Sequence, residues 1–244
     1  METQDIIALV IVYLIIGAAL VLSLLAEKKG WNKDATRKIV HIGVGSFIWI
    51  WWAFTEYWIM LAFFAIPFEI ILILAAIPGN PVSNSKLGEL SSDKGHRWGL
   101  VFYVATIIIM VVCFNSSECI FGAHWMAATI GIVAMTRGDG FGSVIGKKYG
   151  KHKIIHGKSL EGTIGVFVAT FISAMVMMML YSFLFQNPPF GWFVNAQVVE
   201  FLPALGYAAV AGILAAVLEA VCNGDYDNLV MPSCIVAVLI LLGL

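Results

Sequence analysis

Long apolar segments separated by short polar ones account for almost the whole chain. Eight runs of 16 to 23 residues are predominantly hydrophobic: 6–26, 39–54, 57–77, 98–114, 120–135, 163–185, 198–218 and 229–244. A helix needs about 20 such residues to cross a bilayer, and the shorter runs can be tilted or re-entrant. The pattern predicts an all-α, polytopic integral membrane protein with about eight transmembrane helices, or seven if one short run is re-entrant.

Basic residues occur only in alternate loops between these runs. All fourteen Lys and Arg residues lie in segments 27–38, 78–97 and 136–162, whereas the intervening segments carry only acidic residues. The positive-inside rule therefore predicts cytoplasmic basic loops, with both termini outside. The acidic segment 219–228 falls on the same side by alternation. The four polar segments can thus converge on one cytoplasmic site.

Composition agrees with a membrane protein, and net charge bears on whether the chain binds nucleic acid. The chain is 61% hydrophobic and 12% charged, far from the usage of soluble globular proteins. Its net charge of −1 predicts no nucleic-acid partner. No linker or change in composition marks a second domain, so we expect residues 1–244 to form a single transmembrane catalytic domain. The oligomeric state is not indicated.

The most polar segment, 137–162, is rich in glycine and contains six of the fourteen basic residues. On a helix, Asp139, Ser143, Gly146 and Gly150 share one face. A face of small and polar residues admits a bulky ligand, and Asp139 is suited to hold Mg²⁺. The alternative is a close helix-packing face, which is common in membranes.

The end of the same segment has the chemistry of an anion site. Lys158 can neutralise a phosphate, and the backbone amides at the start of the following helix favour an anion. The alternative is an ordinary juxtamembrane anchor. Neither a dinucleotide fingerprint nor a P-loop is present, because the required glycine positions are not filled.

Segment 219–228 carries the carboxylates Glu219, Asp225 and Asp227 and no basic residue. Clustered carboxylates at a cytoplasmic helix end are typical of a metal site, or of a general base that takes a hydroxyl proton. We assign Asp139, Asp225 and Asp227 as metal ligands, and Asp139, Asp227 and Glu219 as catalytic. The alternative is a polar turn with acidic helix caps.

Three further residues are candidates for substrate binding. Arg37 and His41 are four residues apart, on one helix face, and can bind a phosphate or a head group; the alternative is interfacial anchoring. Glu69 lies about 12 Å from the inner end of its helix, at 1.5 Å per residue. An ionisable group at that depth is costly without a partner, which makes Glu69 either functional or a hydrogen-bonding group between helices.

Five stretches together carry a family resemblance: Arg37-Lys38-x-x-His41, KGHRWGLVFY at 94–103, RGDGFGSVIGKKYG at 137–150, KSLEG at 158–162 and DNLVMP at 227–232. The chain resembles the CTP-dependent lipid kinases, namely phytol and farnesol kinases, dolichol kinase and yeast-type diacylglycerol kinase. It has a looser likeness to phosphatidate cytidylyltransferases. Ser143 replaces the acidic residue usual in phytol-kinase-like sequences and is more similar to dolichol kinase.

The resemblance implies a CTP site with Mg²⁺ and an active-site role for Asp227 and Asn228. The nucleotide-binding residues that the resemblance implies are Ser143, Lys147 and the segment from Lys158 to Gly162, which includes Ser159, Glu161 and Gly162. We add Gly146, because it shares the helix face of Ser143. Asn228, Arg37, His41, Glu69 and Arg97 are expected to bind the acceptor. The leading hypothesis is a kinase that phosphorylates the hydroxyl of a membrane lipid alcohol from CTP.

Two other functions remain open from the sequence. Cytidylyl transfer to phosphatidate would use the same nucleotide, with Arg97 and the residues near His41 holding the acceptor phosphate. A transporter would place its charges near the bilayer midplane, whereas here nearly all cluster at one interface. For the kinase, Asp139→Asn is expected to abolish turnover and leave folding intact, because Asp139 is expected at an exposed helix end.

Overall fold

The computed structural model describes residues 1–85, 88, 98–222 and 224–244, except for the side chains of Asp34 and Asp225. Within these residues the regular structure is helical and contains no strand. The α-helices are α1 (Thr3–Lys28), α2 (Lys33–Gly45), α3 (Tyr57–Ala76), α4 (Gly99–Phe114), α5 (Trp125–Val133), α6 (Asp139–Tyr149), α7 (Leu160–Gln186), α8 (Phe201–Val221) and α9 (Asp227–Leu241).

Four helices, α1, α3, α7 and α8, are long and apolar enough to cross a membrane. Many of their outward residues are large and apolar; Leu14 on α1 is 67% exposed and Leu202 on α8 is 75% exposed. Such surfaces match lipid rather than water. The all-α membrane fold is therefore confirmed, whereas the number of about eight spans stays a prediction.

The apolar run 39–54 is not one continuous α-helix, contrary to the simplest interpretation of its hydrophobicity. Helix α2 ends at Gly45 and two 3₁₀ turns follow, Ser46–Trp49 and Trp51–Ala53. The Tyr181 hydroxyl donates to the carbonyl of Ile48, and Trp51 stacks on Trp125 with ring centroids 5.1 Å apart. The two 3₁₀ turns thus lie where this segment packs against aromatic side chains of α5 and α7.

Most of the apolar run 120–135 and the first part of the polar segment after it form one continuous helical unit. It begins at Trp125, passes through a π-helical turn at Ala134–Gly138 and continues as α6. A π turn adds one residue to the helix and so rotates everything that follows. Asp139 is the first residue after this turn, and the predicted helical face is confirmed for Asp139, Ser143 and Gly146, whereas Gly150 follows the end of α6 in an extended conformation.

The loops segregate to the two ends of the bundle as the charge pattern predicts. The Gln4 side chain donates to the carbonyls of Ala53 and Phe193, both at 2.6 Å. Asn195 donates to Asn115 at 3.2 Å. The C-terminal carbonyl of Leu244 meets His124 in the loop before α5. These contacts join the termini and the loops without basic residues at one end, and the described parts of the polar segments lie at the other.

Helices α6 and α7 approach each other closely along glycine faces. A Cβ placed on Gly142 would lie 2.2 Å from Val166, and one on Gly162 would lie 3.0 Å from the Cα of Gly146. A Cβ on Gly165 would lie 2.8 Å from Ile145. The glycines therefore do form a close helix-packing face along this contact. The close approach brings the polar face of α6 beside the start of α7.

We predict that Gly165→Val destabilises the protein, because the added side chain forces α6 and α7 apart. Overpacking of this kind costs about 1–3 kcal/mol. Gly206→Val on α8 is the matched control, because nothing lies within 4 Å of a Cβ at Gly206. Thermal unfolding in detergent should show a lower Tm for Gly165→Val alone. Equal Tm values for the two variants would contradict the glycine contact.

Candidate active site

Three carboxylates from three helix ends meet at the polar end of the bundle. Asp139 begins α6, Glu219 lies near the end of α8, and Asp227 begins α9. One oxygen of each lies within 4.8 Å of the others. Oxygen ligands of this type suit Mg²⁺, and three like charges this close require nearby cations. The chemistry of this donor set fits the predicted metal.

Two lysines from other segments are paired with the carboxylates. The Lys38 ammonium on α2 lies 2.5 Å from Asp139 Oδ2, and both side chains are nearly buried, at 13% and 8% exposed. The Lys158 ammonium lies 2.8 Å from Glu219 Oε1 and also donates to the Glu219 backbone carbonyl. Positive and negative side chains are therefore paired in the site, and little of their surface is exposed to solvent.

Burial and these neighbours determine the charge states around Asp139. Burial, with Lys38 nearby, lowers the pKa of His41 to about 4, so the imidazole is neutral at pH 7. Its Nε2 lies 3.1 Å from the carbonyl of Met135 and 3.4 Å from Asp139. Burial alone would raise the pKa of Asp139, but Lys38 and His41 outweigh it and lower that pKa to about 2. Asp139 is thus a carboxylate, with Lys38 as its counter-ion.

A cavity of about 770 Å³ opens beside the carboxylates. Its volume is in the range of small-molecule and cofactor sites. Five basic side chains line it together with the three carboxylates: Arg37, Lys38, Lys147, Lys153 and Lys158. A lining in which cations surround an acidic cluster is suited to a metal-bound polyphosphate, because the lysines and arginine neutralise phosphate oxygens while the carboxylates take the metal.

Most of the residues predicted from the sequence lie together at this cavity. Besides the three carboxylates, the lining contains Arg37, His41, Ser143, Gly146, Lys147, Lys158, Ser159, Gly162 and Asn228. Ser159 is also the N-cap of α7, because its side chain accepts from the amide of Gly162. Asp227 does not cap α9; its carboxylate accepts from the adjacent amide of Asn228, and the N-cap position is Tyr226. Capping and a place in the site are therefore compatible for Ser159.

Two predicted residues lie elsewhere. Glu161 does not line the cavity; its carboxylate accepts hydrogen bonds from Lys151 and His152 in the preceding loop. Glu69 on α3 is also outside the lining, and its buried Oε2 has no hydrogen-bond partner among the described residues. Arg97 and the side chain of Asp225 lie outside the part of the chain that the structure describes.

The expectation that Asp139 lies at an exposed helix end is wrong. Its side chain is only 8% exposed, because α6 continues from α5 rather than starting in solvent. Loss of its charge would therefore leave Lys38 without its buried partner. A substitution at Asp139 must affect stability as well as any chemistry.

Three residues that were not predicted as site residues also line the cavity: Lys38, Lys153 and His156. Lys38 lies three residues before His41, a helical spacing that would have placed the two on neighbouring positions. Its pairing with Asp139, 101 residues away, has no local signal. For His156, no sequence feature indicates that its loop lines the cavity.

Asn228 presents a buried acceptor at the cavity. Its side-chain amide donates to the carbonyl of Gly99 at 3.1 Å, which directs the amide oxygen away from that carbonyl. The backbone carbonyl of Asn228 accepts from the Thr106 hydroxyl. The side-chain oxygen is buried without a hydrogen-bond partner among the described residues. A buried acceptor of this kind is costly unless a donor or a cation reaches it.

Comparison with known proteins identifies the family. The chain is 31% identical over 203 residues to the phytol kinase of Synechocystis sp., covering 82% of this chain and 75% of the relative. It is 27% identical to phytol kinase 1, chloroplastic, of Arabidopsis thaliana, over 88% of this chain and 69% of the relative. It is 26% identical to the farnesol kinase, chloroplastic, of the same plant, over 73% and 59%.

No protein-family model matches the chain, and no solved structure matches it significantly. The relatives nevertheless cover most of the sequence and share one kind of activity in their names. Together with the apolar helices and the charged cavity, they show that the chain belongs to the phytol and farnesol kinase family and is a membrane-embedded kinase of a lipid alcohol.

Proposed function

We propose that the chain transfers the γ-phosphoryl group of CTP to the hydroxyl of an isoprenoid-type lipid alcohol, at the cytoplasmic face of its membrane. The observation that carries this proposal is the meeting of three carboxylates with two lysine partners, one nearly buried and one half-buried, beside a large basic cavity. Phosphoryl transfer depends mainly on positioning and charge neutralisation, which this arrangement supplies.

Asp139, Glu219 and Asp227 are the residues that would hold Mg²⁺. When bound, Mg²⁺ neutralises charge on the transferring phosphate and fixes its orientation. The lysines have a matching role: Lys38 and Lys158 are already at the carboxylates, and Lys147 on α6 lines the same cavity. They bind phosphate oxygens and stabilise the negative charge that the nucleoside diphosphate gains as it leaves.

The acceptor hydroxyl binds at the carboxylate end of the cavity. Its oxygen forms a bond to the γ-phosphorus as the bond from that phosphorus to the bridging oxygen of CTP breaks. The hydroxyl proton passes to Asp227, and CDP leaves. Asn228 lies next to Asp227 and lines the same cavity, so it can contact the bound acceptor. The apolar part of the alcohol stays in the surrounding lipid.

We predict that purified protein in detergent micelles transfers label from γ-labelled CTP to phytol or farnesol and produces CDP. No sealed compartment is needed, because the chemistry is not transport. Appearance of α label in the lipid with release of pyrophosphate would instead show cytidylyl transfer. Parallel reactions with ATP test whether CTP is the preferred donor.

We predict that Asp139→Asn reduces kcat by about 10²–10³-fold, because it removes a metal-binding charge from the site. It should also lower the free energy of unfolding by roughly 3 kcal/mol, since Lys38 loses its buried partner. The measurements are initial rates with excess substrate and thermal unfolding in detergent.

The double variant Lys38→Met, Asp139→Asn separates these two effects. It removes the unpaired ammonium and should recover part of the lost stability, yet remain inactive. Wild-type activity in Asp139→Asn would move the metal site away from this cluster. Recovery of activity together with stability in the double variant would show that Asp139 acts only through folding.

We predict that the site end of the bundle faces the cytoplasm, from the placement of the basic loops. In a variant without the four native cysteines, Lys151→Cys should react with a membrane-impermeant maleimide only in inside-out bacterial vesicles. Phe190→Cys, at a position that is 92% exposed, should react in intact cells. The reverse pattern would place the site on the opposite side.

A further inference from the structure

Residues 150–159 form a short hairpin between α6 and α7. Lys153 and Ser159 pair in an antiparallel bridge. The amide of Ile154 donates to the carbonyl of Lys158 at 2.8 Å, and the amide of Leu160 donates to the carbonyl of His152 at 2.9 Å. At the tip, His156 and Gly157 have positive φ values of 54° and 75°. This conformation is unfavourable for His156 and persists only if the surrounding structure imposes it.

One face of this hairpin contributes to the cavity. Lys153, His156 and Lys158 are all part of the lining, and Lys158 reaches Glu219. The hairpin therefore places two cations over the region where the proposed nucleotide phosphates bind. Its position relative to α6 and α7 sets how far these cations reach into the cavity.

Glu161, in the first turn of α7, ties the base of the hairpin to that helix. Its carboxylate accepts from the amide of Lys151 at 3.1 Å, from the amide of His152 at 3.3 Å and from His152 Nδ1 at 2.7 Å. These hydrogen bonds hold the first turn of α7 against the base of the hairpin.

Direct contact between Glu161 and the nucleotide is disfavoured by the same geometry. The residue is outside the cavity lining, and its oxygens already face three donors from the loop. A carboxylate beside phosphates would also repel them unless a metal intervened. Within the described residues, Glu161 is not part of the three-carboxylate cluster.

We infer that Glu161 is a positioning residue, which holds hairpin 150–159 over the cavity and so sets the affinity of the site for its nucleotide. This inference rests on the proposed function, because it assigns the hairpin to the nucleotide side of the kinase site. His152 is the partner through which Glu161 acts. His152 itself does not line the cavity, and its side chain is 75% exposed.

The test compares Glu161→Gln, His152→Leu and the double variant with wild type, and Glu118→Gln serves as a control in an exposed loop at the other end of the bundle. Glu161→Gln should raise the KM for CTP about 10-fold, with kcat and the KM for the alcohol within about 3-fold of wild type. His152→Leu should raise the KM for CTP in the same direction. The double variant should be no worse than Glu161→Gln, because the ring contact removed by His152→Leu is one of those that Glu161→Gln already weakens.

Hydrogen exchange of the full-length protein provides a readout that does not depend on activity. Peptides covering 151–160 should exchange faster in Glu161→Gln than in wild type, and Glu118→Gln should leave them unchanged. Glu161→Asp, which keeps the charge on a shorter side chain, should restore part of the protection and of the affinity.

The inference would be overturned if Glu161→Gln had an unchanged KM for CTP, or if hydrogen exchange in the hairpin were unchanged in that variant. It would also be overturned if Glu161→Gln lost most of its kcat while His152→Leu kept wild-type kinetics. That last result would mean that Glu161 touches the nucleotide or its metal directly. If the wild type itself transfers no phosphoryl group, the proposed function fails, while the exchange experiment still reports whether Glu161 holds the hairpin.

Discussion

The site depends on the balance of charge among Asp139, Glu219 and Asp227 and the two lysines that face them. Carboxylates within 4.8 Å of one another repel strongly in a poorly hydrated environment, and they are tolerated here because Lys38 and Lys158 lie against them. These five side chains come from the segments containing α2, α6, the loop before α7, α8 and α9. Their electrostatics therefore couple the polar ends of separate helices and place the chemistry at one end of the bundle.

Membrane embedding explains why so much polarity is confined to one end. The apolar surfaces of α1, α3, α7 and α8 leave no place for hydrated groups along their length. A lipid alcohol is likewise divided into a long apolar part and a polar end, its one hydroxyl. An enzyme that transfers a phosphoryl group from a nucleotide to such a molecule must bring both to the boundary between lipid and water, which is where the basic loops are expected from the charge pattern.

The local pattern of the sequence predicted much of this arrangement. The spacing of Asp139, Ser143, Gly146 and Gly150 placed them on one helix face, and the alternation of charge brought the polar segments to one end; all four residues line the cavity. The pairing of Lys38 with Asp139 was not predictable, because it joins residues 101 positions apart. Glu161 was expected at the nucleotide, but its carboxylate turns back to His152. The 3₁₀ turns after α2 reflect packing around Trp51, which hydrophobicity alone does not reveal.

In the proposed mechanism, the three carboxylates hold the divalent ion that binds with the nucleotide. Electron paramagnetic resonance of Mn²⁺, titrated into the protein with CTP, measures this directly. Wild type should bind Mn²⁺ in a CTP-dependent manner, the Glu219→Gln, Asp227→Asn variant should lose most of that binding, and Glu69→Gln should retain it. Equal CTP-dependent Mn²⁺ affinity in wild type and in the two-carboxylate variant would contradict the account.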